Sequence, residues 1–301
     1  MTNQINSRIV TLGIQVLNPS ATAAGPNAPD FMLFEGLDIQ AQGQKFAGVQ
    51  SDTCTVKISN LTRAQKNWLL TIASPLTTAQ QPGRKPVLVT LSVGRENDFP
   101  PFLLFQGYCW ASHVTMPPDI GIVLTSTTNN YQASALQPQN FGALTTVAII
   151  AAQIAAQYHK TLNIKPGDGV KQVANFQYTG GLQAALNKLA RVSGMRVQCS
   201  HDVLSLYNIG ETVNGAQSFS LNTSTGMVGI PEVTESGVKA MCLIRPEPKI
   251  GGPIKIQSSV NPSINNQPFF ISTLNYHVTN RDDPFWYELF CTTTTGLQQT
   301  Q

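Results

Sequence analysis

The stretch TCTVKISNLTRAQKNWLLTIAS, Thr53 to Ser74, changes its period halfway along. Its first part alternates, with Cys54, Val56 and Ile58 on one face and Thr55, Lys57 and Ser59 on the other, the pattern of a half-buried strand. From Leu61 the spacing becomes helical. Thr62 is placed to cap a helix, and Trp68, Leu69 and Ile72 form an apolar stripe behind Leu61 and Gln65. The reading is one short helix set among strands.

The segments on either side agree with that reading. RIVTLGIQV (from Arg8) and FMLFEGLDIQAQ (from Phe31) precede it, separated by the loop NPSATAAGPNAPD. After the turn QQPGRKP comes VLVTLSVG, with Val87, Val89, Leu91 and Val93 on one face. FLLFQGYCWASHV and IGIVLTSTTN follow, joined by MPPD. Six strands and one helix are therefore expected in the first part of the chain, which suits a small barrel or sandwich.

The middle differs. In TTVAIIAAQIAAQYHKTL, Val147, Ile150, Ile154 and Tyr158 predict a helix reaching Leu162, capped by Thr145 or Thr146 and stopped before Pro166 and Gly167. A second helix is expected from Thr179 or Gly180, burying Leu182, Ala185, Leu186, Leu189 and Val192 and ending at Gly194. MRVQCS and VLSLYN then form a hairpin around His201 and Asp202. From about residue 211 strands return, closing with FFISTLNYHVTN (Leu274, Tyr276 and Val278 inward) and PFWYELFCTT (Phe285, Tyr287, Leu289 and Cys291 inward) across the turn NRDDP. The expected fold is mainly β with an α+β middle: a first antiparallel β-barrel over 1–135, a helix-containing middle domain over 136–210, and a second barrel over 211–301.

Composition narrows the function. Of 301 residues, 42% are hydrophobic, near the globular norm, but only 12% are charged, roughly half the usual share. A polar surface with few charges suits extensive burial in an assembly, where unpaired charge is costly. The net charge of +3 is thinly spread, and its densest basic pair, Arg84 and Lys85, lies in a Pro/Gly turn, so a nucleic-acid-binding face is not expected. The N-terminus has no basic region followed by an apolar run, and no stretch reaches the length of a membrane span; VAIIAAQIAAQYH is interrupted by Gln153 and Gln157. Synthesis and folding in a cytoplasm are expected, with no membrane anchor. Cys54, Cys109, Cys199, Cys242 and Cys291 are scattered, odd in number and in apolar settings, which predicts buried free thiols.

Reactive constellations are missing from the sequence. His113, His159, His201 and His277 lie far apart and outside any metal-ligand spacing. Asp98, Asp119, Asp282 and Asp283 sit in turns. Glu232 and Glu235 are the one carboxylate pair worth weighing, but positions three apart on a strand face opposite sides. The GDG at Gly167 is too short for a phosphate loop and reads as a turn. Trp68, Trp110 and Trp286 suggest core positions before a sugar platform. No catalytic, cofactor-binding or metal residue is assigned, and no cofactor is expected.

The order of the pieces carries a resemblance. TVKISNLTRAQKNWLLT, followed by a Pro/Gly turn, VLVTLSVG and LLFQGYCW, resembles a recurrent element of contractile-tail phage baseplate proteins. GIPEVTESGVKAMCLIRPEPKIGGPIKIQS and the terminal ISTLNYHVTNRDDPFWYELFC are similar to those proteins' closing run and final hairpin, with an extra Gly in PKIGGPIKI. The family is the baseplate central hub of contractile-tailed bacteriophages, including the T-even hub. The resemblance implies two tail-tube-like barrels per subunit and a homotrimeric ring that adapts a hexameric tail tube to a trimeric spike. It implies a channel through which DNA passes at ejection, with transient contact and no sequence readout. The partners it implies are other copies of the chain, tail-tube or tube-initiator proteins, the central spike and baseplate wedge proteins, all in the virion. The alternatives are another tail-tube-fold component such as a tube initiator or distal tail protein, a tail-associated peptidoglycan hydrolase, or a carbohydrate-binding module.

Overall fold

A computed structural model describes residues 7–17, 30–73, 87–117, 120–129, 139–142, 144–265, 267–281 and 283–293. The fold is mainly β, with predominantly antiparallel sheets. The chain forms two compact units. The first comprises Met1–Gly43, Asp52–Tyr131 and Tyr276–Phe285, and the second Gln44–Ser51, Gln132–Asn275 and Trp286–Gln301.

In the first unit the strands are β1 (Arg8–Val16), β2 (Phe31–Phe34), β3 (Ile39–Phe46), β4 (Thr53–Ile58), β5 (Val87–Arg95), β6 (Phe99–Val114) and β7 (Ile122–Thr127), with β3 running on past the unit boundary. They lie side by side in the order β3, β4, β7, β6, β5, β1, β2. Register follows the apolar alternation: Val10, Leu12, Ile14 and Val16 face Val93, Leu91, Val89 and Val87, and Val56 and Ile58 face Leu124 and Ile122. All of these side chains are buried. A one-residue slip would turn each of them to the other face, so the pattern fixes the pairing. Seven strands stand where six were expected, because FMLFEGLDIQAQ breaks at Gly36, whose φ of +70° is one that glycine adopts freely.

Helix α1 (Arg63–Ile72) starts as read from the sequence. Thr62 Oγ1 accepts from the Gln65 amide and Gln65 Oε1 accepts from the Thr62 amide at 2.9 Å, a reciprocal capping box. Trp68, Leu69 and Ile72 are buried, with α1 packed on β6 and β7. The loops NPSATAAGPNAPD and QQPGRKP, with Arg84 and Lys85, lie outside the described residues except for Asp30.

The second unit begins with β8 (Gln139–Asn140) and β9 (Leu144–Thr146), then helix α2 (Val147–Gln157), β10 (Thr161–Ile164), β11 (Gln172–Ala174), β12 (Gln177–Tyr178), helix α3 (Leu182–Ser193), β13 (Met195–Ser200) and β14 (Val203–Asn208). Thr146 caps α2. The helix ends at Gln157 rather than reaching Leu162, which belongs to β10. His159 takes φ +54° and the Lys160 amide bonds back to the Ala155 carbonyl at 2.8 Å, turning the chain into a strand parallel to β14. The cap of α3 is Gly181 rather than Thr179 or Gly180, and Gly194 closes the helix at φ +69°. Ser193 is buried where Val192 was expected; Val192 is only partly buried. The β13–β14 hairpin turns at His201–Asp202. Ile150, Ile154, Leu182, Leu186, Val197 and Leu206 join in one core between the helices and this sheet.

The rest of the second unit holds β15 (Phe219–Leu221), β16 (Met227–Thr234), β17 (Gly237–Leu243), β18 (Pro253–Ile256), the first part of β19 (Phe269–Thr279) and nearly all of β20 (Phe285–Thr292). β16 pairs with β17 and β17 with β20, both antiparallel; β15 and β18 run parallel. Leu274, Tyr287, Leu289 and Cys291 are buried, as are Tyr276, Val278 and Phe285 of the first unit. The run PKIGG is docked rather than free: Ile250 is buried, and the Gly251 amide donates to the Ile271 carbonyl at 2.9 Å.

Candidate functional site

The residues weighed for chemistry do not converge. Glu232 lies on β16 opposite Lys239, Glu235 lies in the turn that follows, and both are exposed. His113 and His159 are exposed, while His201 and His277 are half-buried in different units. Asp98 lies in the turn between β5 and β6; Asp119 and Asp282 lie outside the described residues. The GDG glycines adopt φ of +92° and +71° in a turn. Among the described residues no group of three or more His, Cys, Asp or Glu could hold a metal ion.

All five cysteines are buried free thiols. Burial pushes the Cys109 thiol up to about 11 and the Cys242 thiol to about 12, and raises Cys291 further. A thiol held protonated is a poor nucleophile and a poor metal ligand. Desolvation likewise raises Tyr207 to about 12. Lys239 is raised by its hydrogen bond to Glu288, at 2.6 Å, and then by that carboxylate's charge; Glu288 also accepts from Asn275 at 2.9 Å. The remaining notable cation is Lys160, whose side chain is 3% exposed and donates to the His201 carbonyl at 2.8 Å and to Asp202 at 3.3 Å. It ties α2's end to the β13–β14 turn, which is a structural task.

What the fold offers instead is surface. In the first unit, Gln40, Gln42, Thr55, Lys57, Val123 and His277 line a shallow cavity of about 280 Å³ on the outward face of the strands. Its polar lining comes from outward positions of two strands, Gln40 and Gln42 on β3 and Thr55 and Lys57 on β4, the latter pair alternating with buried Cys54, Val56 and Ile58. In the second unit, Gln177, Thr179, Asn187, Lys188 and Arg191 line an open cleft of about 620 Å³ beside α3. Neither contains a paired acid and base. Trp68 is buried as expected, but Trp110 is 52% exposed: a bulge between Cys109 and Ala111 shifts the β6–β7 register and turns the indole outward. Sequence reading missed this, since bulges leave no mark in an alternation pattern. It also missed the exposure of Phe31 and Leu33 on β2.

Comparison with known proteins gives the context for these surfaces. A family profile described as "Baseplate hub gp41" matches residues 13–291. A comparison with curated proteins finds no match. Among solved structures, the chain is similar to the 43 kDa tail protein of prophage MuSo2 from Shewanella oneidensis, at 9% identity and TM-score 0.62, covering 97% of this chain and 99% of that one. It is similar to the tail protein from Neisseria meningitidis MC58, at 8% identity and TM-score 0.59, covering 94% and 96%. It is also similar to the E. coli c3393 protein, a type VI secretion system component described as structurally similar to T4 tail proteins gp27 and gp5, at 12% identity and TM-score 0.55, covering 93% of this chain and 76% of that one. At these identities the structural likeness speaks for the fold.

Proposed function

The chain belongs to the baseplate hub gp41 family, and on that premise we propose that it builds the hub as a homotrimeric ring that joins a hexameric tail tube to a trimeric spike. A structural role in the phage tail baseplate follows from the family itself. The observation that carries the finer reading is the reach of the family profile, residues 13–291, across both compact units. In the proposed ring, segments 1–135 and 211–301 of each subunit act as two tube-like barrels, so that three subunits offer six similar modules to the tube, and 136–210 forms a middle domain.

Two properties support this reading. Charged residues are only 12% of the chain, which suits surfaces that become buried between subunits. The outward face around Gln40, Gln42, Thr55 and Lys57 is polar with one charged side chain in the group, which suits a wall along which DNA passes without being held. The proposed partners are copies of the chain, tube or tube-initiator proteins, the spike and wedge proteins, and the proposed location is the virion tail. The test is native mass spectrometry of the purified chain combined with reconstruction of tail particles. Three copies around the tail axis between tube and spike are expected; six copies would assign a tube-type role instead, and a stable monomer absent from the axis would overturn it.

A further inference from the structure

Strands at the rim of a sheet expose unpaired amides and carbonyls, and proteins guard them with charge, proline or bulges unless a partner covers them. Among the described residues, the path through the largest sheet ends at β2 in the first unit and at β16 in the second, with β15, paired to β18 alone, as a further edge of that sheet. β16 is guarded. Its register with β17 is broken between Val228 and Glu232, Gly229 takes φ +70°, Pro231 has no amide hydrogen to give, and Glu232 is exposed. Among the described residues β2 has none of these devices. It reads Phe-Met-Leu-Phe, and its register with β1 is unbroken from Gln15↔Phe31 to Leu12↔Phe34.

The side chains of β2 point the same way. Phe34 is buried, while Phe31 and Leu33 are 53% and 51% exposed on the outer face. A Cβ at Gly13 on β1 would meet the Thr90 hydroxyl at 2.5 Å and the Phe31 ring at 3.3 Å, so the bare backbone there lies against both. Following the register across the face from Phe31 leads through Gln15 to Leu88 on β5 and then to Tyr108 on β6, both half-exposed. The strip formed by Phe31, Leu33, Leu88 and Tyr108 carries no charge.

We propose that the edge of β2 that no described strand covers accepts a strand from a second copy of this chain, with Phe31 and Leu33 buried against that copy. This rests on the homotrimeric reading above, which it deepens by naming the surface. A backbone ladder supplies affinity and the alternate side chains supply selectivity. A charged partner strand would have to bury its charge against Phe31 and Leu33, so the occupant must be uncharged, and a chain with 12% charged residues is rich in such strands. Closure of three copies requires a head-to-tail contact, so the donated strand is not β2 itself.

The experiment is mass photometry of the full chain and of its Phe31→Lys/Leu33→Lys variant across a dilution series, with circular dichroism on both. Both side chains are exposed, so the fold is expected to survive while the dissociation constant of the oligomer rises at least about 100-fold, as for charges buried without partners. Hydrogen exchange provides a reading that needs no variant. In the oligomer all amides of Phe31–Phe34 should be protected, and after dilution to monomer alternate ones should exchange freely. An undisturbed oligomer in the variant overturns the proposal and leaves the trimer standing. An intact oligomer that no longer joins tail tubes overturns it in favour of a tube protein as occupant. A wild-type chain that is monomeric at every concentration overturns the trimer and this surface together.

Discussion

Replacing Gly43 with alanine tests how β3 is seated in the first unit. Tyr276 is fully buried, and its hydroxyl donates to the Thr53 carbonyl at 2.9 Å directly beside Gly43. A Cβ at Gly43 would fall inside the contact radii of both that carbonyl oxygen and that hydroxyl. The first belongs to backbone and the second to a packed ring, so neither has space to retreat into. Overpacking a well-filled site costs about 1–3 kcal/mol. Separating the hydroxyl from the carbonyl adds about 1 kcal/mol for the bond and about 1–3 kcal/mol if either group stays buried and unpaired. With all three contributions the sum is about 3–7 kcal/mol, or a fall in melting temperature of roughly 5–11 °C for a chain of this size. Differential scanning calorimetry reads it directly. Gly48→Ala is the control, since a Cβ there meets nothing within 4 Å. In a Tyr276→Phe background the cost of Gly43→Ala should fall by about 1–2 kcal/mol, because the hydroxyl is gone while the Thr53 carbonyl remains. A Gly43→Ala protein melting within 1 °C of wild type, on the order of the scatter of exposed sites, would refute the placement of β3 against Thr53 and Tyr276.

The other predictions concern helices and thiols. Leu186→Ala, at a fully buried position between α3 and the β13–β14 sheet, should cost about 2–5 kcal/mol in urea unfolding. Thr62→Ala should cost about 1 kcal/mol, and adding Gln65→Ala should cost little more, because the two residues form one capping box. All five thiols should resist a disulfide reagent in the native protein and react together in guanidinium. Cys109 and Cys242 are raised from 9.0 to about 11 and about 12, so above pH 9 the unfolded chain releases these protons first and the folded chain binds more. Stability should therefore be unaffected by these groups below pH 9 and fall as pH rises toward 11 or 12, by about 1.4 kcal/mol per pH unit for each ionising thiol. Melting curves between pH 8 and pH 10.5 check the sign.

Much of this fold is legible in the sequence because each half-buried strand writes its inner face at every second residue. Cys54, Val56 and Ile58, Val87 to Val93, Leu274 to Val278 and Phe285 to Cys291 all read correctly for that reason. The helix starts were legible where a hydroxyl could cap, at Thr62 and Thr146, and blurred at α3, where Gly181 caps through backbone alone. The end of α2 was misread because the stop is a left-handed His159, a residue with no strong preference for that conformation, rather than the later Pro166 and Gly167. Trp110 was misplaced because a bulge reverses the facing of a side chain without altering composition. The surfaces were less legible still. Nothing in FMLF distinguishes a rim strand from an inner one; that depends on which strands fold beside it, and the pairing partners lie far along the chain.

The copy number of this chain on the tail axis, read from a reconstruction of tail particles without imposed symmetry, tests the trimeric hub most directly. A hub built as proposed gives three copies between the tube and the spike, each contributing two modules to a near-sixfold face. Six copies in that position, or particles complete without the chain, would contradict it.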